Sequence, residues 1–405
     1  MFLIQAFGLA PYLDVKYLRL LPSVSYLPSG LLLTGTGLFS MLVGYTLVSR
    51  SYKPNSTQST NKFYAAPSLS LTISFYVGLL FLRLVLIALG GGEMIQSNTV
   101  RIGGDWNQWL IYAIELRWFF IALVTLQVAA GKWPRRLIVL LLLVEGGLAI
   151  ISGWSSLLPK IILLVFSCLI YTGRKLPWRT LIPAAIIVTS LIVFSIPITR
   201  NIRFTGQISW SNLNKSLEAT WGQGVNNGWK LFSDLIIGRQ TVIAQTPSIV
   251  LNLIPDTIPY LPLQEVLVAP ISFIPRVIWP SKPVYTNLGT WLTIRVFGGQ
   301  AADGSSAVTM AGNAYMYGGW PVVIVGMAFM GILAALMYRW LAIPGLLNNQ
   351  VGLLAVYAAV VIANFHLGES DFVSIWQGLI QRLFVFLVIA RILCAKTTLN
   401  PPRKT

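Results

Sequence analysis

Residues 318–338 read GGWPVVIVGMAFMGILAALMY, without one charged side chain, and Arg339 closes the run. At about 1.5 Å of rise per residue, such a segment matches the roughly 30 Å hydrocarbon thickness of a bilayer. It predicts a helix that crosses a membrane. Eight further apolar runs lie at 30–49, 69–91, 108–130, 136–152, 155–172, 180–198, 350–366 and 372–393, those at 136–152, 155–172 and 350–366 being short for a crossing. Together the runs predict an all-α polytopic membrane protein of about nine to ten transmembrane helices. Residues 1–13 are apolar but too few to cross. They lack a basic leading region and a small-residue cleavage site, so no signal peptide is expected there and the segment reads as the tail of a helix begun further upstream.

Composition points the same way. Of 405 residues 55% are hydrophobic and 10% charged, with a mean hydropathy of +0.72. Ordinary soluble domains carry roughly 25% charged residues. These figures exclude a soluble globular enzyme, a disordered chain and a nucleic-acid-binding domain. The net charge of +17 sits between the apolar runs, where it acts as a topology signal rather than as a nucleic-acid footprint. Two cysteines, Cys168 and Cys394, give no disulfide framework, and a lone histidine, His366, excludes a multi-histidine metal site. No metal and no cofactor is expected.

Basic residues in short loops set orientation. One set of flanks holds Arg50, Lys53, Lys62, Lys132, Arg135, Arg136, Arg174, Lys175, Arg179, Arg339, Arg391, Lys396, Arg403 and Lys404, with no acid among them. The opposite flanks hold only Lys16, Arg19, Arg101 and Lys160, beside Asp14, Glu93, Asp105, Glu369 and Asp371. The alternation places the C-terminus in the cytoplasm and the long segment 199–306 outside. Three regions result: transmembrane helices over 1–198, a large external loop over 199–306 between the sixth and seventh runs, and transmembrane helices with a cytoplasmic tail over 307–405. Within the loop, 241–254 is expected to form a short helix on or in the bilayer surface.

Five charges fall inside the runs: Arg83, Glu115, Arg117, Glu145 and Arg382. Burying charge in lipid is costly, so each needs a partner or a water-filled cavity. Glu115 and Arg117 are two apart and do not share a helix face, so each is expected to meet a different neighbouring helix. Interhelical pairing and an outward-opening polar chamber both account for the five.

The external loop carries Arg200, Arg203, Lys215, Lys230, Arg239, Arg276, Lys282 and Arg295 against five acids. Net positive charge on the outer side runs against the topology bias, and an anionic ligand held there explains it. Arg200 and Arg203, three residues apart, share a face if the sixth helix continues, and a guanidinium can grip phosphate with two parallel bonds. Snorkelling to lipid headgroups is the plainer role for that pair. Pro275-Arg276-Val277-Ile278-Trp279-Pro280-Ser281-Lys282-Pro283 is a stiff non-helical turn presenting a guanidinium and an ammonium beside an indole. Trp279 equally fits an interface anchor. Glycines at 298–299, 304 and 318–319 frame a loop entering the seventh run, with no Gly-Lys-Ser/Thr of a P-loop. His366 ends the eighth run ahead of Glu369 and Asp371. It is either a hydrogen-bonded helix-end residue or a general base oriented by one of those acids.

Arg200-Asn201-Ile202-Arg203-Phe204, Ile274 to Pro283, and Ala314-Tyr315-Met316-Tyr317-Gly318-Gly319-Trp320 entering a helix resemble the O-antigen and exopolysaccharide repeat-unit polymerases of the Wzy type, and more distantly the O-antigen ligases. Gly153-Trp154-Ser155 stands where that family often has Gly-Ser-Arg. The resemblance implies an inner-membrane glycosyltransferase active on the outer face. It would transfer a growing glycan from undecaprenyl pyrophosphate to a sugar hydroxyl of the next lipid-linked repeat unit. It implies as partners the undecaprenyl-pyrophosphate-linked oligosaccharide, membrane lipids, a chain-length regulator and a flippase, and no nucleic acid. On this reading Arg276, Arg203 and His366 are catalytic, while Arg200, Lys282, Arg239, Trp279 and Tyr315 bind substrate. A flippase or transporter for a lipid-linked oligosaccharide and an O-antigen-ligase-type transferase are the alternatives. The lack of visible internal symmetry weighs against the transporter.

Overall fold

A computed structural model describes residues 27–50, 66–88, 113–151, 157–172, 246–268, 309–347, 350–365 and 372–395, together with 218, 274, 279 and 281. Every regular element among these residues is helical, and none is a strand. In chain order they are α1 (Leu27–Arg50), α2 (Leu69–Ala88), α3 (Arg117–Ala129), α4 (Arg136–Ile151), α5 (Leu157–Tyr171), α6 (246–253), α7 (Gln264–Val268), α8 (Met310–Met316), α9 (Gly319–Met337), α10 (Ile343–Leu347), α11 (Val351–Phe365) and α12 (Phe372–Ala395). A π-helical turn, Tyr338–Ala342, joins α9 to α10.

Eight of the nine apolar runs coincide with described helices, and the run at 180–198 lies outside the described residues. Two of these helices, Pro28–Arg50 and Gly319–Leu347, are long and apolar enough to cross a membrane; Leu69–Val85, Lys160–Tyr171 and Val351–Val361 are shorter apolar helices.

Helix ends follow local chemistry. Pro28, Pro159 and Pro321 sit in first turns, where a missing N–H costs nothing. The N-cap Thr309 takes the Gly312 N–H on its side-chain oxygen at 3.2 Å and so opens α8. Gly131, at φ 78°, ends α3: Lys132 N–H donates to the Gln127 carbonyl and Gly131 N–H to that of Val128, both at 3.0 Å. Pro344 lacks the N–H that an α-helix needs there, and the chain widens into the π turn just before it.

By internal contact the chain divides into two units. Unit 1 comprises 1–58, 235–340 and 364–381. Its frame is α1 packed along α9. A β-carbon on Gly44 would fall onto the Ala328 carbonyl, and one on Gly331 onto the Met41 carbonyl, so only glycine permits this approach. Gly37 faces Met327, and further along both helices Gly331 faces Met41 and Tyr45, so α1 and α9 run parallel. The core joins Leu33, Val250, Ile254, Met310, Met316, Val323, Met327 and Met330. Helix α6 contributes to that core: Thr246, Ser248 and Val250 are buried, and Ser248 lies against Gly30. The short helix expected within 241–254 is present over 246–253 and packs into the core of unit 1, with 241–245 outside the described residues. Its apolar residues serve the interior because Gly30 leaves room for its backbone.

Unit 2 comprises 59–234, 341–363 and 382–405. Helix α3 is its centre, with all its side chains buried among α2, α4 and α5. Phe120 stacks on Phe75 at 6.3 Å and meets Phe119 edge-on at 5.4 Å. A helix apolar on every side must be surrounded, and α3 is.

In both units the outer helices keep large apolar side chains exposed: Leu32, Phe39, Leu42 and Leu47 on α1, Val77, Phe81 and Leu84 on α2, Val139, Leu140 and Leu143 on α4, Val325 and Phe329 on α9. Such continuous apolar faces mark contact with lipid or protein rather than water.

Candidate functional site

The buried charges of unit 2 are the first cluster. Arg83 on α2 donates from Nη1 to Glu145 Oε2 on α4 at 2.8 Å, with side-chain exposures of 4% and 3%. Tyr76, two turns before Arg83 on α2, donates its hydroxyl to the other oxygen, Oε1, also at 2.8 Å. Glu115, in the helical turn leading into α3, is gripped by Arg382 through both carboxylate oxygens. One bond is Nε to Oε2 and the other Nη2 to Oε1 at 2.7 Å. The Arg117 guanidinium lies over the Trp118 ring, 4.8 Å from its centre. Four of the five charges found within apolar runs therefore form two ion pairs that tie distant parts of the chain, with Glu115 and Arg382 267 residues apart. The pairing reading accounts for these four; Glu115 meets another helix, α12, through Arg382, whereas the ring beneath Arg117 belongs to Trp118 on its own helix. Tyr76 was not singled out, since nothing local distinguishes it from the other aromatics of its run.

The second cluster lies in unit 1, where α9 begins. Leu261 N–H donates to the Met316 carbonyl at 2.8 Å, which ties the 254–263 loop to the end of α8. Beside this tie, Tyr317 donates its hydroxyl to Glu265 Oε2 at 3.1 Å. Tyr315 meets Tyr260 at 6.3 Å and Trp320 at 6.0 Å, both edge-on. Gly319 adopts φ 70°, a left-handed conformation, and a β-carbon there would come within 2.8 Å of the Tyr260 hydroxyl. Burial pushes the Tyr315 hydroxyl pKa up, and Tyr260 and Asp256 push it the same way, so it stays a protonated donor.

Of the residues expected to bind or catalyse, Tyr315 is buried in this cluster at 7% exposure and Trp279 is half-buried. Arg200, Arg203, Arg239, Arg276, Lys282 and His366 lie outside the described residues. Tyr260 was missed by the sequence reading. Its signal is Pro259-Tyr260-Leu261-Pro262, a tyrosine held between two prolines. Among the described residues no three His, Cys, Asp or Glu side chains converge in a way that would hold a metal ion.

A family model described as a domain of unknown function (DUF8712) matches residues 82–397. No curated protein and no solved structure matches the chain.

Proposed function

The chain belongs to the DUF8712 family, whose description leaves the activity open, and from its own residues we propose that it is a polytopic inner-membrane glycosyltransferase. It polymerises undecaprenyl-pyrophosphate-linked oligosaccharide repeat units on the outer face of the membrane. The observation that carries the reading is the excess of Arg and Lys in 199–306, the one long segment between apolar runs, on the side where short loops avoid them.

Three structural observations support the membrane part. The outer helices expose apolar faces. The parallel pairing of α1 and α9 agrees with a topology in which both run from outside to inside. The ion-paired residues also match in depth. Measured from the outer ends of their runs, Arg83 and Glu145 lie about 12 Å and about 10 Å deep, Glu115 and Arg382 about 10 Å and about 15 Å, at 1.5 Å per residue. Partners at like depth are what spanning helices require.

The chemistry needs neither nucleotide nor covalent nucleophile, because a glycosyl pyrophosphate is already activated. The bond from the anomeric carbon to the phosphate oxygen breaks, the acceptor hydroxyl oxygen bonds to that carbon, and negative charge collects on the departing pyrophosphate. Arg276, Arg203 and Arg200 stabilise that charge, with Lys282 as a supporting cation and Arg239, Trp279 and Tyr315 binding substrate. One preorganised donor contributes about 3 kcal/mol, or about a hundredfold in rate. His366 accepts the hydroxyl proton, a role that contributes about 10²- to 10⁴-fold.

The test is Arg276→Ala in cells and in purified protein. The expected result is loss of long-chain polymer with the protein still present in the membrane. Polymer of normal length in that variant removes Arg276 from the chemistry.

A further inference from the structure

The surface where the 254–263 loop meets the start of α9 is a built site that the assignments above use only through Tyr315. Three ties hold it: Leu261 to Met316 through backbone, Tyr317 to Glu265 through side chains, and the Tyr260 hydroxyl seated against Gly319. Tyr260 nevertheless keeps 41% of its surface exposed, Trp320 and Glu265 are half-buried, and Asp256 is exposed. An accessible tyrosine and a half-buried tryptophan thus both meet the buried Tyr315, with Glu265 tied to the neighbouring Tyr317 and Asp256 in the loop that carries Tyr260.

We infer that this surface is the subsite for the acceptor sugar, seating a neutral pyranose ring against Tyr260 and Trp320 while Asp256 and Glu265 accept hydrogen bonds from its hydroxyls. A pyranose presents a C–H face, which suits the negative face of an aromatic ring, and a rim of hydroxyl donors, which suits carboxylates. The sign of charge separates this place from the pyrophosphate site. Its charged groups among the described residues, Asp256 and Glu265, are both acidic, so they repel a diphosphate and tolerate an uncharged sugar. Glu265, held by Tyr317, is already oriented, which lowers the entropy cost of binding. A membrane-interface anchor explains one exposed tyrosine but neither the carboxylate of Glu265 held by Tyr317 nor the glycine that receives the Tyr260 hydroxyl.

The inference rests on the glycosyl-transfer reading and names where its acceptor binds. It is tested on the full-length protein in nanodiscs. Saturation-transfer NMR is recorded with the methyl glycosides of glucose, galactose, mannose, rhamnose and N-acetylglucosamine, and inorganic pyrophosphate is titrated separately. At least one glycoside is expected to bind. Its affinity should fall about tenfold in Tyr260→Ala and in Asp256→Asn, and stay within about threefold of the parent in Tyr260→Phe, which keeps the ring. Pyrophosphate binding should be unchanged in all three. Asp256 is exposed, so Asp256→Asn carries the test if Tyr260→Ala does not fold. Absence of transfer from every glycoside overturns the subsite, as does undiminished binding in Asp256→Asn. Glycoside binding without any pyrophosphate binding overturns the polymerase reading and leaves the subsite standing. Pyrophosphate binding without glycoside binding does the reverse.

Discussion

Replacing Arg83 by methionine removes the cation from a pair whose members are almost wholly enclosed, at 4% and 3% side-chain exposure. Methionine fills much of the same volume, so the expected loss is electrostatic rather than a cavity. Glu145 keeps the Tyr76 hydroxyl at 2.8 Å on one oxygen but loses its counter-charge on the other. Breaking a buried pair from one side costs about 3–5 kcal/mol, because the surviving charge stays buried. At 3 kcal/mol the folded-to-unfolded ratio drops about 150-fold. Two companions separate charge from hydrogen bonding. Tyr76→Phe leaves the ion pair intact and should cost about 1 kcal/mol, the scale of hydrogen bonds between helices in membranes. Arg83→Met combined with Glu145→Gln removes both charges and keeps an acceptor for Tyr76, and should return to within about 1 kcal/mol of the parent. The assay is reversible unfolding of the purified protein in mixed micelles by added SDS, followed by circular dichroism. A single Arg83→Met loss below about 1 kcal/mol, or a double variant no better than the single, would refute the claim that this pair fixes the helices of unit 2.

Three further outcomes are expected. Gly44→Val and Gly331→Val should each destabilise by about 1–3 kcal/mol or more by forcing α1 from α9, whereas Gly35→Ala, which meets nothing within 4 Å, should be neutral or stabilising by up to about 1 kcal/mol in the same unfolding assay. Reporter fusions at Lys62 and Pro401 should report cytoplasm and one at Lys230 the outside; a cytoplasmic Lys230 would reverse the active face. His366→Ala should lower turnover by about 10²-fold or more and flatten its pH profile, and unchanged turnover across pH would remove His366 as the base.

Helix positions were readable in the sequence because apolar runs have a single cheap solution wherever backbone groups cannot reach water. Eight runs became helices, with ends where proline, glycine or a threonine cap punctuates the chain. Partners were not readable. That Glu145 meets Arg83 rather than Arg117 depends on how α2 and α4 pack, which no local spacing encodes. The packing of α6 is hidden for a related reason: its composition suits an interface, and its seat against Gly30 places it in the core of unit 1. At the candidate site the segment entering α9 drew attention through its glycines and aromatics. Tyr260 did not, because its closeness to Gly319 is set by the Leu261–Met316 tie across a long stretch of chain.

The ion pairs also impose a schedule on synthesis. Arg83 leaves the ribosome 62 residues before Glu145, and Glu115 leaves 267 residues before Arg382. At about 5–20 residues per second the arginine waits about 3–12 s for its carboxylate, and Glu115 waits about 13–53 s for its arginine. On the membrane-spanning proposal, a lone charge released into lipid for that time is expensive, and α2 and α3 would need shelter until their later partners arrive. Biogenesis on that proposal is a late-closing process, and a chain stopped before Arg382 should be a target for membrane quality control.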